Sequence, residues 1–244
     1  MKISSENIQP KKIKKLSLDA IMNRVNNMLK LREAYINDIN NTHIHLQKGN
    51  TKTGESCWTI SLIPIVDCYN CKECMKECYD VINDCWQPCV QNDRARNSAL
   101  HKVDPTRYWN EISTEIKKHF VSQLRINVGG DLNKNDFIHI KRIAEDNIQC
   151  DFLFFTKSYS ALNEFLTENE FSANVHPIIS AWKNTELSNP FNLPVSHVLY
   201  ADGSTTAPEY GSIYCNGNCS ACHFNKGTGC WDLKKGESVI FPAH

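Results

Sequence analysis

Twelve cysteines punctuate a chain of 244 residues, and ten of them fall into two blocks. In the first, Cys68, Cys71, Cys74 and Cys78 follow the spacing C-x2-C-x2-C-x3-C, with Cys85 and Cys89 close behind. That is the spacing of ferredoxin-type runs, in which a short loop wraps an iron–sulfur cubane and turns several thiolates inward. Zinc sites more often divide their ligands into two distant pairs, so this block favours iron. In two-cluster ferredoxins the fourth cysteine serves the other cluster, which leaves the partition among these six cysteines open. Tyr79 also stands where the ferredoxin run has a proline. The second block is Cys215-Asn-Gly-Asn-Cys219-Ser-Ala-Cys222-His223, with Cys230 after it and glycines at 211, 217, 227 and 229. Its four cysteines suit either a further iron–sulfur centre or a structural zinc, with His223 a bystander. Disulfides are disfavoured, because the spacing is too tight and no export signal precedes the domain.

The elements that must carry these residues read as α/β. A basic leader at 1–16 precedes an amphipathic helix at 17–38, which Ser17 or Asp19 would cap. Strands are expected at 58–63, 124–128, 151–156, 175–181 and 197–200, and helices at 90–102, 105–120, 136–146 and 160–168. Strands alternating with helices imply parallel βαβ units, about five or six of them, in a partial or distorted barrel or an open sheet. In such folds chemistry gathers at the C-terminal ends of the strands. The first cysteine block follows the first strand there. Gly129-Gly130-Asp131, Lys157 and Ser180 end later strands on the same side. Cys57 and Cys150 precede strands and read as idle buried thiols. Arg125 and Asn127 alternate with Leu124, Ile126 and Val128, so one face of that strand is polar; it either lines a lumen or meets solvent.

Composition narrows the classes further. Basic and acidic residues number 27 each, so bulk charge does not indicate nucleic acid. Arg94, Arg96, His101, Lys102 and Arg107 are accordingly expected on a solvated helix face. Trp58, Trp109 and Trp182 are expected in the core. No apolar run is long enough to span a bilayer. The protein is expected to be cytoplasmic, with no membrane partner. No Gly-Lys-Ser/Thr phosphate loop or Gly-x-Ser-x-Gly elbow occurs.

Taken in order, five segments resemble a known family: the first strand with its loop ending Cys78-Tyr79-Asp80, Leu124 through Asp131, Phe152 through Ser158, Asn174 through Ser180, and the C-terminal cysteines. This order, over residues 48–244, resembles the gene product 88 family of phage and mobile-element proteins, which look like relatives of radical S-adenosylmethionine (SAM) enzymes. Residues 1–47, the leader and helix, lie outside it. The resemblance implies a radical-SAM-like partial (βα) barrel with parallel strands, an N-terminal helix and cysteine-rich loops. It implies a [4Fe–4S] cluster at the mouth. SAM would be held near Asn127, Gly129, Gly130, Asp131, Lys157 and Ser180, with Asp131 receiving the SAM amino group. Reductive SAM cleavage and hydrogen abstraction from a substrate of unknown identity would follow. The family of enzymes uses C-x3-C-aromatic-x-C; here Val81 stands at the third cysteine's place, so Cys68, Cys71 or Cys85 would complete the set. The alternatives are a non-catalytic or redox-sensing cluster protein, and a zinc-stabilised binding module.

Overall fold

The computed structural model describes residues 16–49, 56–69, 71, 74–200, 202–208, 211–215 and 229–243. The leader up to residue 15, and Cys219, Cys222 and His223, lie outside the described residues. The elements run α1 (Leu18–Asn37), β1 (Cys57–Ile60), α2 (Tyr79–Asn83), α3 (Pro88–Val103), α4 (Pro105–His119), β2 (Gln123–Ile126), α5 (Lys134–Glu145), β3 (Asp151–Thr156), α6 (Tyr159–Glu168), β4 (Val175–Ser180), β5 (Val195–Leu199), β6 (Ser212–Tyr214) and β7 (Ser238–Pro242).

Local chemistry sets several helix starts. Ser17 Oγ accepts from the Ala20 amide at 3.2 Å and caps α1. Asp104 caps α4, with Pro105 in the first helical turn. Asn133 and Asp136 form a reciprocal capping box at the start of α5.

Among the described residues the sheet has seven strands, all parallel, in the order β1-β2-β3-β4-β5-β7-β6. Strands one to five lie side by side in chain order. Right-handed crossovers between such strands all fall on one face of the sheet. The packing agrees: Tyr108, Trp109 and Ile112 of α4, Phe137, Ile140 and Ile143 of α5, and Leu162 and Phe165 of α6 share one core with Ile60, Leu124, Ile126, Phe152, Phe154 and Ile179. The opposite face carries Thr59, Arg125, Leu153, Phe155, Ile178 and Ser196, in register across the strands. There the Phe155 ring on β3 meets the Phe241 ring on β7, with centroids 5.7 Å apart, so the sheet bows toward this face. Trp231 covers part of it, its ring 5.9 Å from that of His176.

The sheet is open, and the partial or distorted barrel read from the sequence is corrected to that extent. Closure would need a partner on the outer edge of β1. That edge is occupied by Gln47, whose amide and carbonyl each bond to Thr59 at 2.8 Å in an antiparallel bridge. The sequence reading also missed α2, β6 and β7, of which β7 inserts between β5 and β6.

Two further expectations are overturned. Part of the basic stretch is turned inward: Arg94 is 3% exposed against Asp80, His101 is buried against Asp136, and half-buried Arg107 bonds to Glu111 and to the Ile39 carbonyl, while Lys102 is exposed as expected and Arg96 is half-buried over the Tyr35 ring. The partners Asp80, Asp136 and the Ile39 carbonyl come from elsewhere in the chain, which a local reading does not show. Only Trp109 of the three tryptophans is fully buried. Trp58 is half-buried and stacks on His119 at 5.1 Å, while half-buried Trp182 lies beneath the Lys157 ammonium.

Helix α1 packs on α3 and closes a second apolar cluster, in which Ile21, Val25 and Met28 touch Ile63, Val81 and Cys85. It therefore rests on both ends of the first cysteine loop.

Candidate metal centre

The chain leaves β1 through Ser61, Leu62 and Ile63 and makes a tight turn before the first cysteine block. The Asp67 amide donates to the Ile63 carbonyl at 2.9 Å, and the Ile63 amide donates to Asp67 Oδ2 at 2.8 Å. Inside this turn Ile65 has φ 71°, a left-handed conformation that strains a β-branched residue. It exposes both peptide groups of Ile65 to sulfur. Its amide donates to Cys68 Sγ at 3.3 Å, and its carbonyl accepts from Cys71 Sγ at 3.5 Å. Cys74 Sγ donates to the Cys71 carbonyl at 3.6 Å. Cys78 then begins α2.

Cys68, Cys71, Cys74 and Cys78 are half-buried and unbridged. Burial pushes the Cys68 and Cys74 thiols up; the charge of Asp131 adds to this in both, and Lys157 opposes it at Cys74. Cys78 is pushed up to about 12, by burial first and then by Asp80 and Cys74. Thiols of this kind ionise at neutral pH when a bound metal supplies the positive charge. Cys85 and Cys89 diverge from them: Cys85 is buried in the α1–α2 cluster, 3.7 Å from Asp80 Oδ2, and Cys89 is exposed on the first turn of α3. Among the described residues, no three His, Cys, Asp or Glu side chains are arranged to hold a single metal ion.

The loop after β2 locks the cysteine loop to the sheet. The Asp80 carboxylate, 1% exposed, is gripped by Arg94 through Nε at 3.2 Å and Nη2 at 2.8 Å. Gly129 lies so close that a Cβ there would stand 1.9 Å from Asp80 Oδ2. Gly130 has φ 86°, and a Cβ would press on Leu62. The Tyr79 hydroxyl donates to the Val128 carbonyl at 2.6 Å. Asp131 is buried, and its carboxylate accepts from Thr156 Oγ1 at 2.6 Å and from the amides of Leu132 and Lys157 at 2.8 and 3.0 Å. Burial raises its pKa, with these donors working against the shift.

The remaining candidates ring the same edge. Asn127 follows β2 at φ 54°, 6% exposed, and among the described residues neither its side-chain nitrogen nor its side-chain oxygen has a hydrogen-bond partner. Lys157 places Nζ 5.1 Å from the centre of the Trp182 ring. The Ser180 carbonyl accepts from the Tyr159 hydroxyl, and its Oγ lies 3.3 Å from Ser196 Oγ. Of the second block, Cys215 follows β6 and its amide donates to the Ile240 carbonyl at 2.8 Å. Cys230 opens a short helical turn, and the two cysteines line one crevice with Ile213, Tyr214, Leu233 and Val239. Cys57 and Cys150 are both buried at the N-terminal ends of β1 and β3.

Sequence reasoning missed Asp67, Asp80 and Arg94. Asp67 and Asp80 flank the cysteine run, which is a signal of position only. Their partners Arg32 and Arg94 come from other helices, so no local pattern announces the pairing.

Among the described residues no helix is long and apolar enough to cross a membrane. A family model described as gene product 88 matches residues 31–234. No curated protein and no solved structure matches the chain.

Proposed function

The chain belongs to the gene product 88 family, and from that premise we propose that it is a phage-type or mobile-element protein that binds an iron–sulfur cluster. The observation that carries the proposal is the loop after β1, where four cysteines of ferredoxin spacing share one turn at the C-terminal edge of a parallel sheet. Cys68, Cys71, Cys74 and Cys78 would hold the cluster. The donor set fits: thiols are soft ligands suited to iron–sulfur centres, and the Ile65 amide already donates to one of the sulfurs. When bound, such a cluster supplies one-electron chemistry. The chain's own residues then fix the loop: Arg94 and Asp80 anchor α2, Gly129 and Gly130 allow the β2 loop to close against it, and Asp131 ties that loop to β3.

The test is metal analysis of anaerobically purified protein. The expected sample is brown, carries iron and inorganic sulfide, and bleaches in air. A colourless, zinc-loaded sample would overturn the proposal in favour of a zinc-stabilised module.

A second reading, SAM-dependent radical chemistry, draws support from Asn127. An amide buried with both polar atoms unpaired is unfavourable by about 1–3 kcal/mol per group, which a ligand offering a donor and an acceptor would recover. On this reading the reduced protein binds SAM and releases 5′-deoxyadenosine, and Asn127→Ala weakens SAM binding about tenfold, the equivalent of 1.4 kcal/mol. A reduced, iron-loaded protein that neither binds nor cleaves SAM is instead a non-catalytic or redox-sensing cluster protein.

A further inference from the structure

Asp67 immediately precedes Cys68 and ties the cysteine loop to three other parts of the fold. Its carboxylate takes the Ile63 amide at 2.8 Å, closing the turn in which Ile65 is held at φ 71°. Its backbone carbonyl takes the Asp131 amide at 2.8 Å, joining the cysteine loop to the loop after β2. Its carboxylate also faces α1: Arg32 Nη1 lies 3.6 Å from Oδ1, and Arg32 in turn donates to Ser98 Oγ of α3 at 3.4 Å. Arg32 is itself buried, although it belongs to the amphipathic helix that precedes the cysteine motifs.

The consequence runs through Ile65. Left-handed φ at a β-branched residue lasts only where surrounding bonds impose it. Here the imposing bonds are the two that Asp67 makes to Ile63. The strained residue is the one whose amide points at Cys68 Sγ, 3.3 Å away. We propose that Asp67, braced by Arg32 of α1, is a positioning residue for the cluster: it holds Ile65 in the conformation that aims an amide donor at the Cys68 sulfur. The inference rests on the cluster-binding reading and extends it to a helix outside the cysteine motif.

An amide donated to a ligating sulfur stabilises the more negative, reduced state, so its loss lowers the reduction potential. It also loosens the ligand. The experiment compares wild type, Asp67→Ala and Asp67→Asn, all loaded anaerobically with iron and sulfide. Iron content, midpoint potential and the rate of iron loss to a chelator are read for each. Asp67→Ala is expected to have a lower potential and to lose iron about tenfold faster, within the range set by outer-shell partners of metal ligands. Asp67→Asn keeps an oxygen for the Ile63 amide but weakens the Arg32 brace, and is expected to shift only slightly from wild type, as Arg32→Gln does. Equal potentials and release rates in wild type and Asp67→Ala overturn the inference. So does an Asp67→Asn that behaves as Asp67→Ala does, since charge and not the turn would then be responsible. If Asp67→Ala fails to fold, Arg32→Gln carries the test: a smaller shift in the same directions supports the brace, and no shift overturns it. A wild type that takes up no iron defeats the cluster reading itself, and is recognised before any variant is compared.

Discussion

Gly129 leaves no space for a methyl group, because the Asp80 carboxylate occupies that volume and is held there by Arg94. Removing one partner of a buried ion pair leaves an uncompensated charge, which costs about 3–5 kcal/mol; replacing both with apolar residues is often near neutral. Arg94→Leu is therefore expected to destabilise the metal-free chain by about that amount in urea unfolding, with Asp80→Leu/Arg94→Leu recovering most of the loss. Gly129→Ala should resemble the single variant, since its Cβ displaces Asp80 from Arg94. A Gly129→Ala chain as stable as wild type would show that the carboxylate has somewhere else to go. His101 gives a pH-dependent counterpart. Burial lowers its pKa, but the hydrogen bond and charge of Asp136, with a further contribution from Asp67, outweigh this and the net shift is upward. A raised folded-state pKa stabilises fully below the unfolded value of about 6.5 and is lost as pH rises through the folded value. The stability advantage of wild type over His101→Gln should shrink across that window, and a difference independent of pH would contradict the pairing. The cysteines and Asp131 were legible in the sequence because residue type and spacing mark them. Asp80 and Arg94 were not: an acid and a base fourteen positions apart (80 and 94) on separate helices carry no periodic signature.

Strands whose apolar residues run continuously announce themselves, as Phe152 to Phe155 did for β3. Strand β6 has only three residues, and the continuous apolar run of β7, Val239-Ile240-Phe241, is only three residues long and is followed by Pro242, so neither stands out as β3 does. Pro242 is tolerated because the bond to the Leu199 carbonyl comes from the Ala243 amide and β6 pairs with β7 only as far as Ile240, so no partner needs an N–H at 242. Yet β7 is an interior strand, paired on both sides, from Val195–Leu199 and from Ser212–Tyr214. A chain ending before Ser238 would lose both sets of pairings and expose the apolar edge of β5. Such a truncation is expected to be insoluble on expression, whereas removing only Ala243 and His244 keeps the register of β7 with both neighbours, loses the one bond from the Ala243 amide to the Leu199 carbonyl, and should be tolerated. A soluble, cooperatively unfolding product lacking 238–244 would mean that β6 pairs directly with β5. Helix α1 shows the same limit from the other side. Its apolar spacing and Ser17 cap were readable, but its seat was not, because contact with Ile63, Val81 and Cys85 depends on where the cysteine loop folds.

At the scale of the molecule, strand order separates the two cysteine blocks. The first follows β1 at one edge of the sheet, and Cys215 follows β6 at the other. Six strand spacings of about 4.8 Å would put those edges roughly 29 Å apart in a flat sheet, and the bowing that joins Phe155 to Phe241 shortens this without pairing the edges. A single cubane is far smaller than that span. Two centres are therefore expected: a cluster on Cys68, Cys71, Cys74 and Cys78, and a separate metal on the C-terminal cysteines. Cys215 and Cys230 already line one crevice. Cys215→Ser/Cys230→Ser should lower the metal content while leaving the visible and electron paramagnetic resonance spectra of the first centre intact. Cys71→Ser/Cys74→Ser should remove those spectra and leave the second metal bound. If the C-terminal pair of substitutions instead bleaches the chain completely, both ends ligate one shared cluster, and the sheet must curl enough to bring its two edges together.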